Sequence, residues 1–412
     1  MVTDSQSRLV VALVGGSHVV NHAYFMLLPP IFGPLRGDLG VTDAQLGVAL
    51  GVVGVVVTAL QLPLGSVSDS RGRTPVLALS LSFGALGALL TATAQSYAWL
   101  LVASVVTGVG IAGHHPAHYP LIGSATTPAT RGRAYSVHGF TGAVGFATPP
   151  AVVGLFATLG LNWRLAVGSI AVLGGLYGVV ALFALDRRVD DAITAPTATG
   201  TTDAPLAQRA RAELRTVLSS PPIVALTVLW FVTSMAGWGI KQYTAGLLAT
   251  VYRVPDPTAN FAVSAMLVTG AVLIFGGGWL TDRVSPAAVL VAGYAALVLV
   301  AGALGLGVLP TLGALALVLV LSATVDASRP ARASLADALS TDDSAGKNFG
   351  LLTVGISGGA AVAPPVLAVV VERAGVEAAF LAVSGIGVLA IALTAVVLAV
   401  AGDAAAGRPV PE

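Results

Sequence analysis

The sequence predicts an all-α polytopic membrane protein, with twelve transmembrane helices in two pseudo-symmetric six-helix bundles. Three observations predict it: a shortage of charge, twelve apolar runs of spanning length, and an internal repeat. Of 412 residues, 56% are hydrophobic and 9% charged, against about 25% charged in ordinary soluble proteins. A net charge of +1 offers no basic surface, so nucleic acid is not an expected partner. The chain has no cysteine, which excludes disulfides and thiolate metal sites.

A spanning helix needs about 20 mostly apolar residues. Runs of that kind centre near residues 20, 55, 85, 110, 146, 174, 236, 269, 296, 323, 360 and 389. Polar punctuation separates them at SVSDSRGRTP, TTPATRGR, TDRVSP and STDDSAGK. The N-terminal MVTDSQSRLV enters the first run without a small-residue cleavage pattern, so that run is expected to be kept as a span. Lys and Arg set the orientation. Arg36, Arg164, Arg253 and Arg373 fall on one side, thirteen others fall with the termini, and Lys241, Arg329 and Arg332 lie within spans. The excess marks the cytoplasm, giving a multi-pass cell-membrane protein with both termini inside.

The longest polar segment, 186–220, has TAPTATGTTDAP at its centre and the composition of a flexible linker. It divides the chain into an N-terminal bundle (1–185), a cytoplasmic linker (186–220) and a C-terminal bundle with a short cytoplasmic tail (221–412). The halves repeat. GSVSDSRGR from Gly65 matches GWLTDR from Gly278, HPAH from His115 matches RPAR from Arg329, and ATPPAVV from Ala147 matches VAPPVLAVV from Val362. The offsets are 213, 214 and 215 residues. Two parallel six-helix halves are an arrangement that secondary transporters use.

On these residues the chain resembles the major facilitator superfamily over nearly its whole length. Gly65, Asp69, Gly72 and Arg73 fit that superfamily's G-x-x-x-D-x-x-G-R signature between its second and third helices. Gly278, Asp282 and Arg283 fit the weaker echo in the second half. The resemblance implies that this loop is a gating latch, closing the cytoplasmic side and breaking during alternating access. A looser similarity is to fosmidomycin-resistance-type efflux proteins, which carry S-H-x-x-N-D in the first helix and F-H-P-E in the fourth. Here these read SHVVNH from Ser17 and HHPA from His114, with His22 and Ala117 in place of the acidic residues. The Arg common early in the fourth helix of drug–proton antiporters is replaced near Ser104.

All six histidines, His18, His22, His114, His115, His118 and His138, lie in spans one, four and five. The second half carries Lys241, Asp326, Arg329 and Arg332 in spans seven and ten. An Arg or Asp at a membrane helix centre costs at least ~2.5 kcal/mol, so such groups are kept where they face a cavity or a partner. The resemblance implies that helices one, four, seven and ten line the central cavity. Helical spacing puts His18, Asn21 and His22 on one face, as it does His114 and His118, while Asp326 and Arg329 can pair. Pro116 and Pro330 occupy matched places and are expected to kink their helices.

The expected solute-binding groups are therefore His18, Asn21, His22, His114, His115, His118, Trp238, Lys241, Tyr243, Arg329 and Arg332. His115 and Asp326 are the candidates for proton coupling, since imidazole titrates near neutral pH. Plainer roles stand beside these. His138 suits an interhelical hydrogen bond, Arg332 a side chain reaching to the cytoplasmic face, and Trp238 and Tyr243 an interfacial aromatic belt. Gly139, Gly142 and Gly145 in span five, like Gly355, Gly358 and Gly359 in span eleven, suit close helix packing.

The leading reading is a secondary transporter for a small anionic or zwitterionic solute, proton-coupled, without cofactor or metal, acting as a monomer in the lipid bilayer. Efflux rests on the subfamily resemblance. No nucleotide-binding loop is present to suggest ATP. A second reading is transport of a transition metal or its chelate, because His18–His22 and His114–His118 each place two imidazoles one turn apart. A remote third, from HHPAH, is a membrane di-iron oxygenase.

Overall fold

The computed structural model describes residues 3–196, 220–340 and 345–402. Among the described residues every regular element is helical. The N-terminal half comprises α1 (Asp4–Phe25), α2 (Asp43–Arg71), α3 (Arg73–Ala92), α4 (Tyr97–Ala112), α5 (His114–Ala125), α6 (Pro128–Thr158) and α7 (Trp163–Arg188). The C-terminal half comprises α8 (Pro221–Thr250), α9 (Asp256–Thr281), α10 (Pro286–Gly305), α11 (Thr311–Leu321), α12 (Arg329–Ala338) and α13 (Ala345–Ala401). Eleven helical stretches among the described residues are long and apolar enough to cross a membrane. The last of them, Leu351–Ala401, is two helices merged across a kink at Gly375, whose φ of 84° only glycine adopts readily. That makes twelve crossings.

The helices begin where the polar punctuation supplies caps. Thr42 and Gln45 form a reciprocal capping box on α2, and Ser96 and Asn162 accept backbone N–H groups at the starts of α4 and α7. The first span starts earlier than its expected centre near residue 20 implies, because α1 stops at Phe25. Pro29 and Pro30 offer no N–H to the carbonyls of Phe25 and Met26, so the apolar run cannot continue as one helix.

Both matched prolines act as expected, one turn upstream. Pro116 cannot donate to Ala112, the last residue of α4, and the chain restarts as α5 after Gly113. Pro330 cannot donate to Asp326, the last residue of the turn Ala323–Asp326, and the chain restarts as α12. Spans four and ten are thus broken helices, each at the place where ionisable residues cluster.

The described residues of Met1–Gly200, with Val254–Val268, form one compact unit; those of Thr201–Arg253 and Thr269–Glu412 form a second. Val254–Val268 departs from the expected division at 221: it belongs with the first unit, where the Ser264 hydroxyl donates to the Ala147 carbonyl at 2.8 Å. Part of the expected linker is ordered rather than flexible. α7 runs to Arg188, a short turn spans Asp191–Thr194, and Ile193 is buried against Val10, Leu77 and Leu121. Residues 197–219, the rest of that linker, lie outside the described residues, as does most of the expected C-terminal tail.

Each unit has its own core: Val14, Val76, Leu81 and Ala117 in the first, Leu226, Leu229, Tyr294 and Leu335 in the second. Outward faces remain apolar. On α7, Leu173, Leu176, Val179, Val180 and Phe183 are each at least 59% exposed, as a lipid-facing surface requires.

Candidate functional site

In the first unit the six histidines converge on His18. The His138 ring stacks on it at 3.9 Å between centroids, His114 stacks at 4.8 Å, and His115 and His118 approach edge-on at 5.5 and 6.1 Å. His22 lies at 4.1 Å, with its ring against Phe146 at 4.2 Å. The two pairs at i and i+4 therefore do share faces, and the broken helix delivers three of the rings. His114, His118, His18 and His138 are buried; His22 and His115 are partly exposed.

Close approach of α6 to α1 makes the cluster possible. A Cβ on Gly142 would strike the His18 ring, and one on Gly145 would meet the Val19 carbonyl at 2.5 Å. Two carbonyls of α6 are thereby brought to α1: His18 Nδ1 lies 2.7 Å from that of His138, and His22 Nδ1 lies 3.0 Å from that of Gly142. Gly139 takes no part in this packing; it is exposed, and a methyl group there would meet nothing within 4 Å. Gly355 and Gly359 of α13 pack closely on Thr227 and Phe231 of α8.

His138 is more than an interhelical contact. Its place on span five sets it apart from the expected site, yet its ring lies at the heart of the cluster. Its own carbonyl anchors His18. The signal in the sequence is its restriction, with the other histidines, to one half of the chain. Among the described residues, both ring nitrogens of His114, His118 and His138 are buried without a hydrogen-bond partner. Native interiors seldom leave such groups unmatched. The Asn21 amide donates to the Ser80 hydroxyl of α3 at 3.3 Å.

In the second unit the charged residues separate by burial. Arg329 is exposed, and its guanidinium lies 3.9 Å from the Asp326 carboxylate. Asp326 also accepts from the Ser322 hydroxyl at 2.5 Å. Arg332, one turn on, is only 7% exposed. Its Nη1 donates to Thr233 Oγ1 at 2.5 Å, its guanidinium lies 5.5 Å from the centre of the Trp230 ring, and its Nε has no partner. A side chain reaching to the cytoplasmic face is thus excluded for Arg332; Thr233 of α8 holds it inside. The repeat mates agree in burial: His118 and Arg332 are inside, while His115 and Arg329 are more open.

Lys241 donates to the Gly237 carbonyl at 3.4 Å, with its ammonium 5.8 Å from the centre of the Trp238 ring. Trp238 and Tyr243 are buried, at 6% and 4% exposure, so neither belongs to an interfacial belt. The Tyr243 oxygen accepts from the Gln242 amide at 2.8 Å. Trp230 and Thr233 escape detection in the sequence because neither stands near a charged residue along the chain.

The signature loop and its echo differ. Asp69 is exposed on the last turn of α2, near Gly65, and Gly72 follows with a φ of 94°. Arg73 is buried and donates to the Ile193 carbonyl, so it ties the loop to the start of the linker region. In the echo, Asp282 and Arg283 are exposed, and Arg283 stacks on Trp279 at 4.1 Å. Gly278 has only the Pro330 ring nearby, at 3.8 Å.

Known proteins resemble this one in both sequence and fold. A sequence profile described as Major Facilitator Superfamily matches residues 14–325 and 232–411. An uncharacterized MFS-type transporter, YybF of Bacillus subtilis, is 26% identical over 158 residues, covering 38% of this chain and 39% of YybF. The multidrug resistance protein MdtL of a Shewanella species is 31% identical over 163 residues, covering 39% of this chain and 40% of MdtL. The matched segment thus spans about two fifths of either relative. Among solved structures, a bacterial homologue of the human lysosomal transporter Spinster, inward-facing and occupied, superposes with a TM-score of 0.76 at 17% identity. That likeness covers 96% of this chain and 97% of the other.

Proposed function

The chain belongs to the Major Facilitator Superfamily, and from that premise we propose that it is a secondary active transporter of a small anionic or zwitterionic organic solute. It works by alternating access, as a monomer in the cell membrane, with both termini cytoplasmic. Arg332 carries this reading. It is a buried guanidinium in no ion pair among the described residues, and one of its donors is unused. An unpaired cation inside a membrane protein is costly and is kept for a partner of opposite charge. A carboxylate or phosphonate matches the guanidinium fork in two parallel bonds. Lys241 and Arg329 add positive charge in the same unit, Trp238 and Tyr243 supply apolar body, and Asp326 suits the ammonium of a zwitterion.

Proton coupling is favoured by the histidine cluster of the first unit, since imidazole exchanges protons near neutral pH. Export is favoured by the multidrug resistance protein among the relatives. The Asp69 loop serves as the cytoplasmic latch, with Gly72 and Arg73 shaping it. The metal and di-iron oxygenase readings draw no support from these comparisons.

The test is a thermal-shift screen of anionic metabolites and antibiotics on purified protein across pH, followed by flux in proteoliposomes under an imposed pH gradient. Stabilisation by carboxylates or phosphonates, lost in Arg332→Gln, is expected. Selective stabilisation by organic cations would remove the anionic reading. Labelling of Ala195→Cys by an impermeant reagent in intact cells would reverse the topology; no native cysteine interferes.

A further inference from the structure

One pair of atoms in the histidine cluster, the Nε2 atoms of His18 and His22, poses the question of where its hydrogen lies. His18 and His22 each point Nδ1 at a backbone carbonyl of α6, at 2.7 and 3.0 Å. A carbonyl oxygen only accepts, so both Nδ1 atoms carry hydrogen. A neutral imidazole has a single N–H, which leaves both Nε2 atoms as bare lone pairs. Yet these two atoms face each other at 3.1 Å. Two lone pairs repel at that distance, while one hydrogen between them makes a hydrogen bond of ordinary length.

We infer that His18 and His22 hold one exchangeable proton between their Nε2 atoms, and that this dyad is where the coupling proton is loaded and released. The inference rests on the proton-coupled reading above and gives it an atomic site. Loading forms one N–H bond on one Nε2, with the other ring accepting, and takes the proton from water. The dyad then carries a single shared positive charge. Unloading breaks that N–H bond and returns the proton to water.

Like-charge repulsion limits the dyad to one proton. Around His18 stand the rings of His138, His22, His115 and His118, at 3.9, 4.1, 5.5 and 6.1 Å between centroids. From α5, His114 also stacks on His18. α3 presents Ser80 to Asn21, and α7 presents Tyr177, whose hydroxyl donates to Leu13. α4 carries no charged residue. A second positive charge would stand beside the first, with the two Nε2 atoms only 3.1 Å apart, and like charges that close disfavour double protonation. His18 is buried, whereas His22 and His115 are partly open, so protons enter from their side. This also departs from the sequence reading, which places coupling on His115 and Asp326.

The test uses the purified full-length protein in lipid nanodiscs with 15N-labelled histidine rings. Nuclear magnetic resonance should show two rings with hydrogen on Nδ1 and a through-hydrogen-bond 15N–15N coupling between their Nε2 atoms. Raising the pH should abolish the coupling with release of one proton. His22→Gln should lose both features, whereas His114→Gln should keep them. His22 is at the open edge, so this variant serves if His18→Gln fails to fold. In proteoliposomes, His22→Gln should lose at least tenfold of pH-gradient-driven flux relative to the parent protein.

Independent hydrogens on both Nε2 atoms would overturn the inference. So would stoichiometric Zn2+ uptake at these nitrogens, which gather with one of His115 within 4.8 Å, or full pH-gradient drive in His22→Gln. The spectroscopic readout needs no solute. A missing dyad signal therefore overturns this inference alone, whereas an intact dyad in a parent protein indifferent to pH gradients overturns the proton-coupled reading.

Discussion

The hydroxyl of Ser68 donates to the carbonyl of Pro116 at 2.9 Å. That carbonyl would normally accept from the residue four positions on, but Pro120 has no N–H to give. Ser68 lies on the last turn of α2, inside the signature stretch, and the bond carries that stretch onto the helix bearing His114, His115 and His118. A motif residue with no role assigned from sequence therefore repairs the backbone of the broken helix.

Ser68→Ala should leave this partly buried carbonyl without its hydroxyl donor and cost roughly 0.5–1.5 kcal/mol of stability. Ser68→Thr should preserve most of it. Thermal unfolding in detergent, read alongside a folded-state size profile, measures the difference. Equal stability of the alanine variant and the parent would mean that water or a neighbour satisfies the carbonyl.

Gly142 and Gly139 make a matched pair of opposite expectation. A methyl at Gly142 collides with the His18 ring, whereas one at Gly139 meets open space. Gly142→Ala should therefore destabilise by about 1–3 kcal/mol, as overpacking does, and disturb the His18 signals. Gly139→Ala, exposed on the same helix, should be neutral or slightly stabilising. If the two variants unfold together, α6 is not held against α1 as described.

Arg332 and Arg329 should also part company. Arg332→Lys keeps the charge but loses the fork and the Thr233 bond, so solute affinity should fall by roughly 1.5–3 kcal/mol. Arg329 is exposed in a 3.9 Å pair with Asp326, and exposed pairs contribute only about 0–1 kcal/mol. Calorimetric titration with the anion found by screening decides the order. A larger loss in Arg329→Lys than in Arg332→Lys would return the anchoring role to Arg329.

For the latch, Asp69→Asn should strongly slow transport while leaving the thermal transition nearly unchanged, because Asp69 is exposed and carries no core packing. Arg73→Ala should slow transport and also lower the thermal transition, through loss of its buried bond to Ile193. Asp282→Asn should affect transport less, since its loop lacks the glycine and buried arginine that follow Asp69. Wild-type flux in Asp69→Asn under both inward and outward gradients would end the gating assignment.

Length and hydropathy by themselves determined the twelve spans, while matched motifs showed the repeat and residue positions the confinement of histidine to the first half. Those properties are one-dimensional: in a bilayer every backbone group must be satisfied within its own helix, so an apolar run of sufficient length leaves little choice of structure. Even the two helix breaks were legible, because Pro116 and Pro330 act on carbonyls four residues away. The tertiary structure alone decided which ionisable groups meet. His18 and His22 owe their facing lone pairs to carbonyls 120 residues distant, brought close because Gly142 and Gly145 lack side chains. Arg332 rather than Arg329 is buried because Thr233 and Trp230, on another helix, receive it. Helical spacing specifies which residues share a face; the rotation and depth at which two faces dock depend on packing between distant segments, which no local pattern records.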